Sequence, residues 1–445
     1  MKRTESVVHE RAILVGVILD SRRDACEPLD ELRGLAETAG ARVVGQLTQR
    51  REVPDKTTYL GKGKVEELKQ LVEANDADVA IFDNDLSPAQ TRNLEKAIDV
   101  KVLDRTELIL DIFASRAKTH EARLAVELAQ LQYSLPRLKR MWTHLSRMKM
   151  GIGMRGPGEK QLEEDRRLVE KRIHDLRDEL DVIQSRKERQ VAARSDRMTV
   201  SLVGYTNAGK STLMNALTGA DVLAEDKLFA TLDTRTRRWQ LPGWGPVLLS
   251  DTVGFIRDLP HQLVASFKAT LEEAHQANLL LHVADASNPA VLEQIAAVYS
   301  VLGELGISEK DALLVLNKID RLTDRGELEV LRARYPNAIP VSAYRKQGLD
   351  ALARGVSDAL SHDFPDVDIE MGVEKGRLVA YLSAHREVLS KSYHEGRVTV
   401  HCRMPRAQLG RIKPDEADVR PHSVAASNGQ VLPQPSLPPN MEEVA

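Results

Sequence analysis

The sequence predicts an α/β protein: an N-terminal α/β domain, a long helical hairpin, a second α/β domain whose mostly parallel sheet is covered by helices on both faces, and a small α+β C-terminal domain. Two observations predict it. Short apolar runs alternate with amphipathic stretches over residues 12–113 and again over 198–362, the pattern of a parallel sheet fed by crossover helices. Between them, over about 107–194, strand signals stop and charged and apolar residues recur at helical spacing.

In the first domain, residues 1–113, the runs AILVGVI, ARVVGQL, DVAIF and VKVLD read as strands, with helices over Pro28–Thr38, over Val65–Ala74 and from Pro88. The hairpin, 114–196, is interrupted by the glycine-rich break GIGMRGPGEK at Gly151–Lys160. Its second arm, EKQLEEDRRLVEKRIHDLRDELDVIQSRKERQ, carries charges of both signs, as a solvated or coiled helix does, and a plain spacer would look the same. Pro136 is expected to bend or break the first arm. The second α/β domain spans 197–363. The C-terminal domain, 364–413, has a helix near Gly376–Lys391 and a strand at RVTVHCRM, and residues 414–445, rich in Pro, Ser and Asn, read as a disordered tail.

A chain of 445 residues is too long for one ordinary domain, and 42% hydrophobic with 29% charged residues is globular composition. The net charge of -3 excludes a uniformly cationic nucleic-acid coat and any DNA-binding stripe on that scale, so an RNA-binding surface must be local. Cys26 and Cys402 lie far apart with no CxxC or Cys/His cluster, so neither a disulfide framework nor a zinc site is indicated, and a reducing, cytoplasmic compartment fits best. MKRTESVVHERAILVGV carries charges up to a short apolar run and no small-residue cleavage site, unlike a signal peptide. The longest apolar runs, such as Ala277–Ala284 and Ala312–Leu316, fall short of the ~20 residues that span a bilayer, and no lipidation motif is present, so stable membrane anchoring is not expected. Nothing demands more than a monomer.

The motifs that carry chemistry lie in the second α/β domain. The strand TVSLVG runs into GYTNAGKST, which matches GxxxxGK[ST] at Gly204, Gly209, Lys210 and Ser211. Glycines let backbone N–H groups crowd around phosphate oxygens, so the whole run Gly204, Tyr205, Thr206, Asn207, Ala208, Gly209, Lys210, Ser211 and Thr212 is a candidate nucleotide cradle. Lys210 is expected to reach the β and γ phosphates and Ser211 to offer its hydroxyl to Mg²⁺. Downstream, the strand VLLS ends in DTVGF, so Asp251, Thr252, Val253 and Gly254 sit where open sheets bind ligands. Asp251 would hold the metal through water and Gly254 would offer its N–H to the γ-phosphate, although a buried structural aspartate fits that position too.

The strand ALLVL opens into NKID, with Asn317, Lys318 and Asp320. A carboxylate at Asp320 accepts from the N1–H and amino group of guanine, whereas adenine would leave it unpaired at a cost of roughly 1–3 kcal/mol. AIPVSA then ends at Ser342 and Ala343, whose backbone N–H groups are candidates for the guanine oxygen. Four motifs in this order, each behind a strand, describe a P-loop GTPase domain that takes GTP and GDP. Within KLFATLDTRTR, Phe229, Ala230 and Thr231 form a candidate switch, with Thr231 the third metal ligand beside Ser211 and Asp251; Thr234 and Thr236 are rivals, and a surface turn threonine is the plain alternative. Lys210, Thr231 and Gly254 are the catalytic candidates.

Two positions depart from the Ras-like pattern. The residue after DTVG is Phe255, which cannot orient a water as glutamine does, so unassisted hydrolysis should be slow. Asn207 is similar to the asparagine of potassium-stimulated GTPases, which makes K⁺ a candidate second cation, though asparagine also suits a turn.

Beyond these motifs the chain resembles the HflX family of ribosome-associated GTPases. The resemblance rests on YLGKGKVEEL at Tyr59–Leu68, FDNDLSPAQTRNLE at Phe82–Glu95, VLDRTELILDIFASRAKTHEARLAVELAQLQY at Val102–Tyr133 and GIGMRGPGEKQLEEDRR at Gly151–Arg167, and covers about residues 10–362. It implies a protein that binds the large ribosomal subunit and its rRNA in the GTP form, brings the hairpin loop near the peptidyl-transferase region and splits stalled ribosomes. The family's loop usually reads GTRGPGETQLETDRR; here Met154, Lys160 and Glu164 stand at its variable positions.

The hairpin itself reads as RNA-facing. From Leu128 to Gly158 there is no acidic residue, while Arg137, Lys139, Arg140, Arg147, Lys149 and Arg155 supply cations and Tyr133 and Trp142 supply stacking faces. A solvated basic helix end has the same composition. GIGMRG fits GxGxxG but follows a helix, which argues against a dinucleotide site. GKGK at Gly61–Lys64 lacks a P-loop pattern; the resemblance attaches ATP binding to this domain, and a ribosome-contacting domain is the alternative.

Overall fold

The computed structural model describes residues 7–19, 29–141, 157–192, 198–257 with breaks at 220–227, 230, 232–233 and 243–244, 274–363 with breaks at 305 and 308–311, and 366–422 with breaks at 386, 395, 404–408, 410–411 and 413–416. The chain packs as two compact units, residues 1–358 and 359–445.

The first sheet contains β1 (Arg11–Leu19), β2 (Arg42–Arg51), β3 (Val79–Phe82) and β4 (Lys101–Leu103), all parallel, in the order β2-β1-β3-β4. β1 is apolar at almost every position because both its faces are covered. Ala12 and Leu14 pack toward α1 (Asp30–Thr38) and α4 (Arg105–Arg116), while Ile13, Val15 and Val17 pack toward α2 (Lys62–Asn75) and α3 (Pro88–Ile98). The helix starts are encoded locally. Ser87 caps α3 in a reciprocal capping box with Gln90, and Asp104 caps α4 by accepting from the backbone N–H of Glu107 at 2.9 Å.

The hairpin arms are α5 (His120–Met141) and α6 (Pro157–Ala192). Leu124 and Leu128 meet Ile173 and Leu176 along their seam, flanked by ion pairs Arg172–Glu127 at 2.8 Å and Lys187–Glu121 at 2.7 Å. Pro136 does not break α5, which runs on to Met141. Proline removes one N–H, and the adjoining turn is pinned by Arg137, which donates to the Tyr133 carbonyl and to that of Leu86.

The second sheet, in the order β10-β9-β8-β5-β7-β6, is parallel except for its edge strand. It comprises β5 (Thr199–Gly204), β6 (Arg235–Leu241), β7 (Gly245–Asp251), β8 (Leu279–Asp285), β9 (Ala312–Asn317) and β10 (Ile339–Pro340), with β6 antiparallel to β7. Helices α7 (Lys210–Thr218), α8 (Val291–Glu304), α9 (Arg325–Arg334) and α10 (Leu349–Asp363) accompany it. The C-terminal ends of β5, β7 and β9, at Gly204, Asp251 and Asn317, fall at one edge of this sheet, where the sequence motifs lie.

The second unit is an antiparallel sheet, β12-β13-β11-β14, with α11 (Gly376–His385). Its strands are β11 (Asp366–Gly372), β12 (Glu387–His394), β13 (Arg397–Arg403) and β14 (Asp418–Pro421). Two expectations are corrected here. The helix expected to reach Lys391 stops at His385, and EVLSKSYH pairs with β13 as a strand, with Val388 against the core. The tail expected to be disordered from residue 414 contributes β14, because Ala417 and Val419 pack into that core. Residues 423–445 lie outside the described residues.

Candidate nucleotide-binding site

The turn after β5 has a backbone that only its residue types allow. Gly204 has φ +148°, and a Cβ there would stand 2.2 Å from the Val283 carbonyl oxygen; Gly209 has φ +90°, and its Cβ would stand 2.4 Å from Nδ2 of Asn317. Asn207 takes the left-handed conformation, φ +59°, which asparagine tolerates better than most residues, and it is exposed. The loop is sewn to the strand end after β7: Phe255 donates its N–H to Gly204 O at 3.0 Å, and Thr206 donates to Phe255 O at 2.6 Å. Gly254 lies so close beneath it that a Cβ would meet Cα of Thr206 at 2.7 Å and Nζ of Lys210 at 3.0 Å.

Lys210 is buried, and its Nζ donates to the carbonyls of Gly204 at 3.0 Å and Tyr205 at 2.9 Å. Burial pushes its ammonium down to about 8, partly offset by Asp251. Ser211 Oγ donates to Oδ2 of Asp251 at 2.6 Å and lies 2.8 Å from Oγ1 of Thr231, which is itself 3.2 Å from the same carboxylate oxygen. Thus the three metal-ligand candidates converge from α7, the segment before β6 and the end of β7. Burial raises the Asp251 carboxyl, against the pull of Lys210 and the two hydroxyls, and its buried Oδ1 has no hydrogen-bond partner among the described residues. Hard oxygen donors with one orphaned carboxylate oxygen suit a divalent cation such as Mg²⁺. Of the rival threonines, Thr236 is turned to Ser250 across the β6–β7 pair at 3.1 Å.

At the other end of the site, Asn317 is buried and ties three segments together. Its Nδ2 donates to Ala208 O at 2.9 Å, and its Oδ1 accepts from Ala343 N at 3.0 Å. Lys318 donates to Asn207 O at 2.7 Å and pairs with Asp285 at 2.7 Å. The Ser342 N–H is spent on Gln347 O and that of Ala343 on Asn317, while the Ser342 hydroxyl donates to Asp320 at 2.5 Å. This pair therefore orients Asp320 and Asn317.

Other candidates turn out to brace the site. Thr252 is buried, with its hydroxyl on Leu202 O at 2.7 Å; Val253 is buried; and Thr206 Oγ1 accepts from Phe229 N at 2.8 Å. Phe229 is buried edge-on against Phe113 of α4, 4.5 Å between centroids, so its ring serves the packing of the two α/β layers. Thr212 is half-buried near the start of α7, and Ala230 lies outside the described residues. The Phe255 ring is buried in the apolar core, so it has no means of orienting water.

Sequence reasoning missed a cluster that joins this site to the first sheet. The Tyr205 hydroxyl hydrogen-bonds Glu31 of α1 and accepts from Arg257 N at 2.7 Å; burial, then Glu31, pushes its phenol up. Arg105 is buried, 2.6 Å from Asp83 and 2.9 Å from Glu31, and Arg257 reaches Asp83 at 3.0 Å. Only Arg257, two residues past Phe255, carried a positional hint.

The expectation for Arg137 as an RNA contact is also corrected. Its guanidinium points inward, 2.7 Å from the buried Asp104 and 3.4 Å over the Tyr133 ring, while the Tyr133 hydroxyl donates to Asp104 at 2.7 Å. A buried carboxylate needs its cation, so this arginine is structural. The side chains of Lys139 and Arg140, and all of Trp142, Arg147, Lys149 and Arg155, lie outside the described residues, as does GIGMRG. At GKGK, Gly61 precedes α2 and accepts no phosphate-loop geometry: its N–H is taken by Gln49 at 2.9 Å, and Lys64 pairs with Glu67. Among the described residues no helix is long and apolar enough to cross a membrane.

Comparison with known proteins agrees with this geometry. Family models described as GTP-binding GTPase N-terminal, GTP-binding GTPase Middle Region and 50S ribosome-binding GTPase match residues 26–114, 116–194 and 199–318. GTPase HflX of Magnetococcus marinus is 47% identical over 411 residues, covering 91% of this chain and 94% of its own. GTPase HflX of Escherichia coli is 45% identical over 408 residues, covering 91% and 95%. The crystal structure of SsGBP with GDP aligns at 26% identity and a TM-score of 0.47, covering 79% of this chain and 99% of its own. With that identity sustained over 91% of its length, the chain belongs to the HflX family of GTPases and hydrolyses GTP.

Proposed function

We propose that the chain binds the large ribosomal subunit in its GTP form, dissociates stalled or idle ribosomes, and is released when GTP is hydrolysed. The observation that carries the nucleotide half is the convergence of Ser211, Thr231 and Asp251 on one point beside Lys210. In this reading these three hold Mg²⁺, which when bound neutralises charge on the β and γ phosphates. Lys210 trades the carbonyls of Gly204 and Tyr205 for phosphate oxygens, and the Gly254 N–H faces the γ-phosphate. Thr231, already beside Ser211 and Asp251, would be the switch residue that answers to the γ-phosphate, which makes the segment before β6 the switch. Asp320, held by the Ser342 hydroxyl, reads guanine; Lys318 is held over the cradle by Asp285 and Asn207 O.

With Phe255 buried, water must be oriented by other groups, so hydrolysis is slow alone and stimulated by the ribosome. The exposed amide of Asn207 is the candidate K⁺ ligand. The ribosomal half is supported by the match to the 50S ribosome-binding GTPase model over 199–318 and by the acid-free stretch from Leu128 to Gly158. A monomer acting in the cytoplasm, without DNA, fits this role.

Sedimentation of intact ribosomes with the protein and either GDP or a non-hydrolysable GTP analogue tests it. The analogue alone should carry protein onto the large subunit and shrink the intact-ribosome peak. Protein that remains at the top of the gradient with both nucleotides would remove the ribosomal assignment. Co-sedimentation without loss of intact ribosomes would point instead to an assembly or regulatory RNA-binding factor.

A further inference from the structure

The second unit gathers two imidazoles and two carboxylates on one face of its sheet. β11 alternates Val367, Ile369 and Met371 into the core, which puts Asp366 and Asp368 together on the opposite face. β13 sets His401 opposite Asp368, and the chain after β14 sets His422 beside Asp366, whose carbonyl accepts from His422 N at 2.9 Å. The side chains then cross over β11. His401 Nε2 lies 2.7 Å from Asp366, and His422 Nδ1 lies 2.9 Å from Asp368. The two rings stack above the strand, 3.6 Å between centroids and 16° from parallel.

We propose that Asp368, His401 and His422 form a binding site for a divalent transition metal of the zinc class, a site separate from the nucleotide machinery. One ligand atom from each of the three lies within 4.8 Å of the others. Tetrahedral zinc with bonds of about 2.0–2.2 Å needs donors roughly 3.3–3.6 Å apart, so His422 and Asp368, now 2.9 Å apart, open slightly, the more distant donors close by at most about 1.5 Å, and one ring turns out of the stack. Mixed imidazole and carboxylate donors select zinc, copper or nickel over Mg²⁺ or Ca²⁺, which want oxygen alone. Asp366, 2.7 Å from His401 Nε2, is placed as the outer carboxylate that fixes the His401 ring.

The nearby cation is drawn off: Arg420 pairs with Asp418 and lies 3.6 Å from Glu370. The site is also accessible, with side-chain exposures of 16% for His401, 26% for His422 and 30% for Asp368. Two independent carboxylate–imidazole pairs on a polar sheet face would explain each contact singly. They would not require both rings to meet over one strand, with ligands from β11, β13 and the residue that follows β14.

Binding is tested by titrating the full chain with Co²⁺ in the presence of GDP and excess Mg²⁺, reading visible ligand-field absorption, followed by displacement with Zn²⁺. One equivalent should develop the bands of a four-coordinate ion and Zn²⁺ should abolish them. His401→Gln, His422→Gln and Asp368→Asn should each weaken binding about tenfold or more while circular dichroism and GTP hydrolysis stay unchanged. Asp368→Asn keeps the side-chain shape, so loss of the bands in that folded variant cannot be ascribed to unfolding. Absent bands, bands that survive both histidine variants, or bands abolished by Mg²⁺ would overturn the proposal.

Discussion

The hydroxyl of Tyr205, in the phosphate-loop turn, is hydrogen-bonded to the carboxylate of Glu31 on α1, a contact across 174 residues that fastens the nucleotide cradle to the first α/β layer. The same hydroxyl receives the backbone N–H of Arg257, so one oxygen joins the turn after β5, the segment after β7 and α1. Arg105 completes the junction by binding Glu31, Asp83 and the Arg257 carbonyl.

Tyr205→Phe removes that oxygen and leaves a largely buried carboxylate and a backbone N–H to find other partners. The expected cost is about 1–3 kcal/mol of stability. GDP affinity should change only a few-fold, because the cradle is held independently by the Gly204–Phe255 and Thr206–Phe255 backbone bonds. Thermal unfolding together with GDP titration checks both; a large loss of GDP affinity with unchanged stability would contradict the assignment.

Asp251→Asn separates stability from activity. Burial raises this carboxyl, so its ionised form costs folding energy at neutral pH, and a neutral amide relieves that cost. The variant should melt at the same or a higher temperature while Mg²⁺-dependent GTP hydrolysis falls by about a hundredfold or more. Paired melting curves and phosphate-release assays decide it.

Asp320→Asn should exchange base preference. A carboxylate accepts from the guanine amino group, whereas an asparagine amide donates to the oxygen that xanthine carries at that position. GTP binding should weaken and XTP binding strengthen, measured by competition against a fluorescent nucleotide. The Ser342 hydroxyl, 2.5 Å from Asp320, still has an acceptor in the amide oxygen, so the side chain keeps its orientation.

His282 should make the protein acid-sensitive. It lies buried on β8 against Tyr299, and burial first, then Lys210, pushes its imidazole down to about 3. Below about pH 6.5 the unfolded chain takes up a proton that the folded chain refuses, so stability is lost as pH falls from there toward 3. Between pH 6.5 and 5 this amounts to about 2 kcal/mol at 1.36 kcal/mol per pH unit. In His282→Phe, which keeps a ring against Tyr299, the fall in unfolding free energy from urea melts between those pH values should be smaller by that amount. Equal falls in both proteins would refute it.

The elements most legible in the sequence are those whose chemistry is local. A left-handed or crowded backbone position demands Gly204 and Gly209, a strand end demands Asp251, and a base reader demands Asp320 within a few residues of its strand, so the motif string and the geometry coincide. The start of the helix at Pro88 was legible for the same reason. Where expectations failed, a tertiary partner had decided. Arg137 counted as a free cation until Asp104 claimed it, and EVLSKSYH, plausible as the end of a helix, became a strand because β13 offered it a ladder.

The sequence by itself determined that this chain carries a GTP site at the end of a parallel sheet, because phosphate cradles and base readers are written in consecutive residues. Only the tertiary structure decided that Tyr205 answers to Glu31, that Val419 pulls part of the supposed tail into a sheet, and that Asp366, Asp368, His401 and His422 meet on one face. Those relationships depend on strand register and on packing between residues tens to hundreds of positions apart, and no local pattern records which distant group will satisfy a buried charge or pair with a free strand edge.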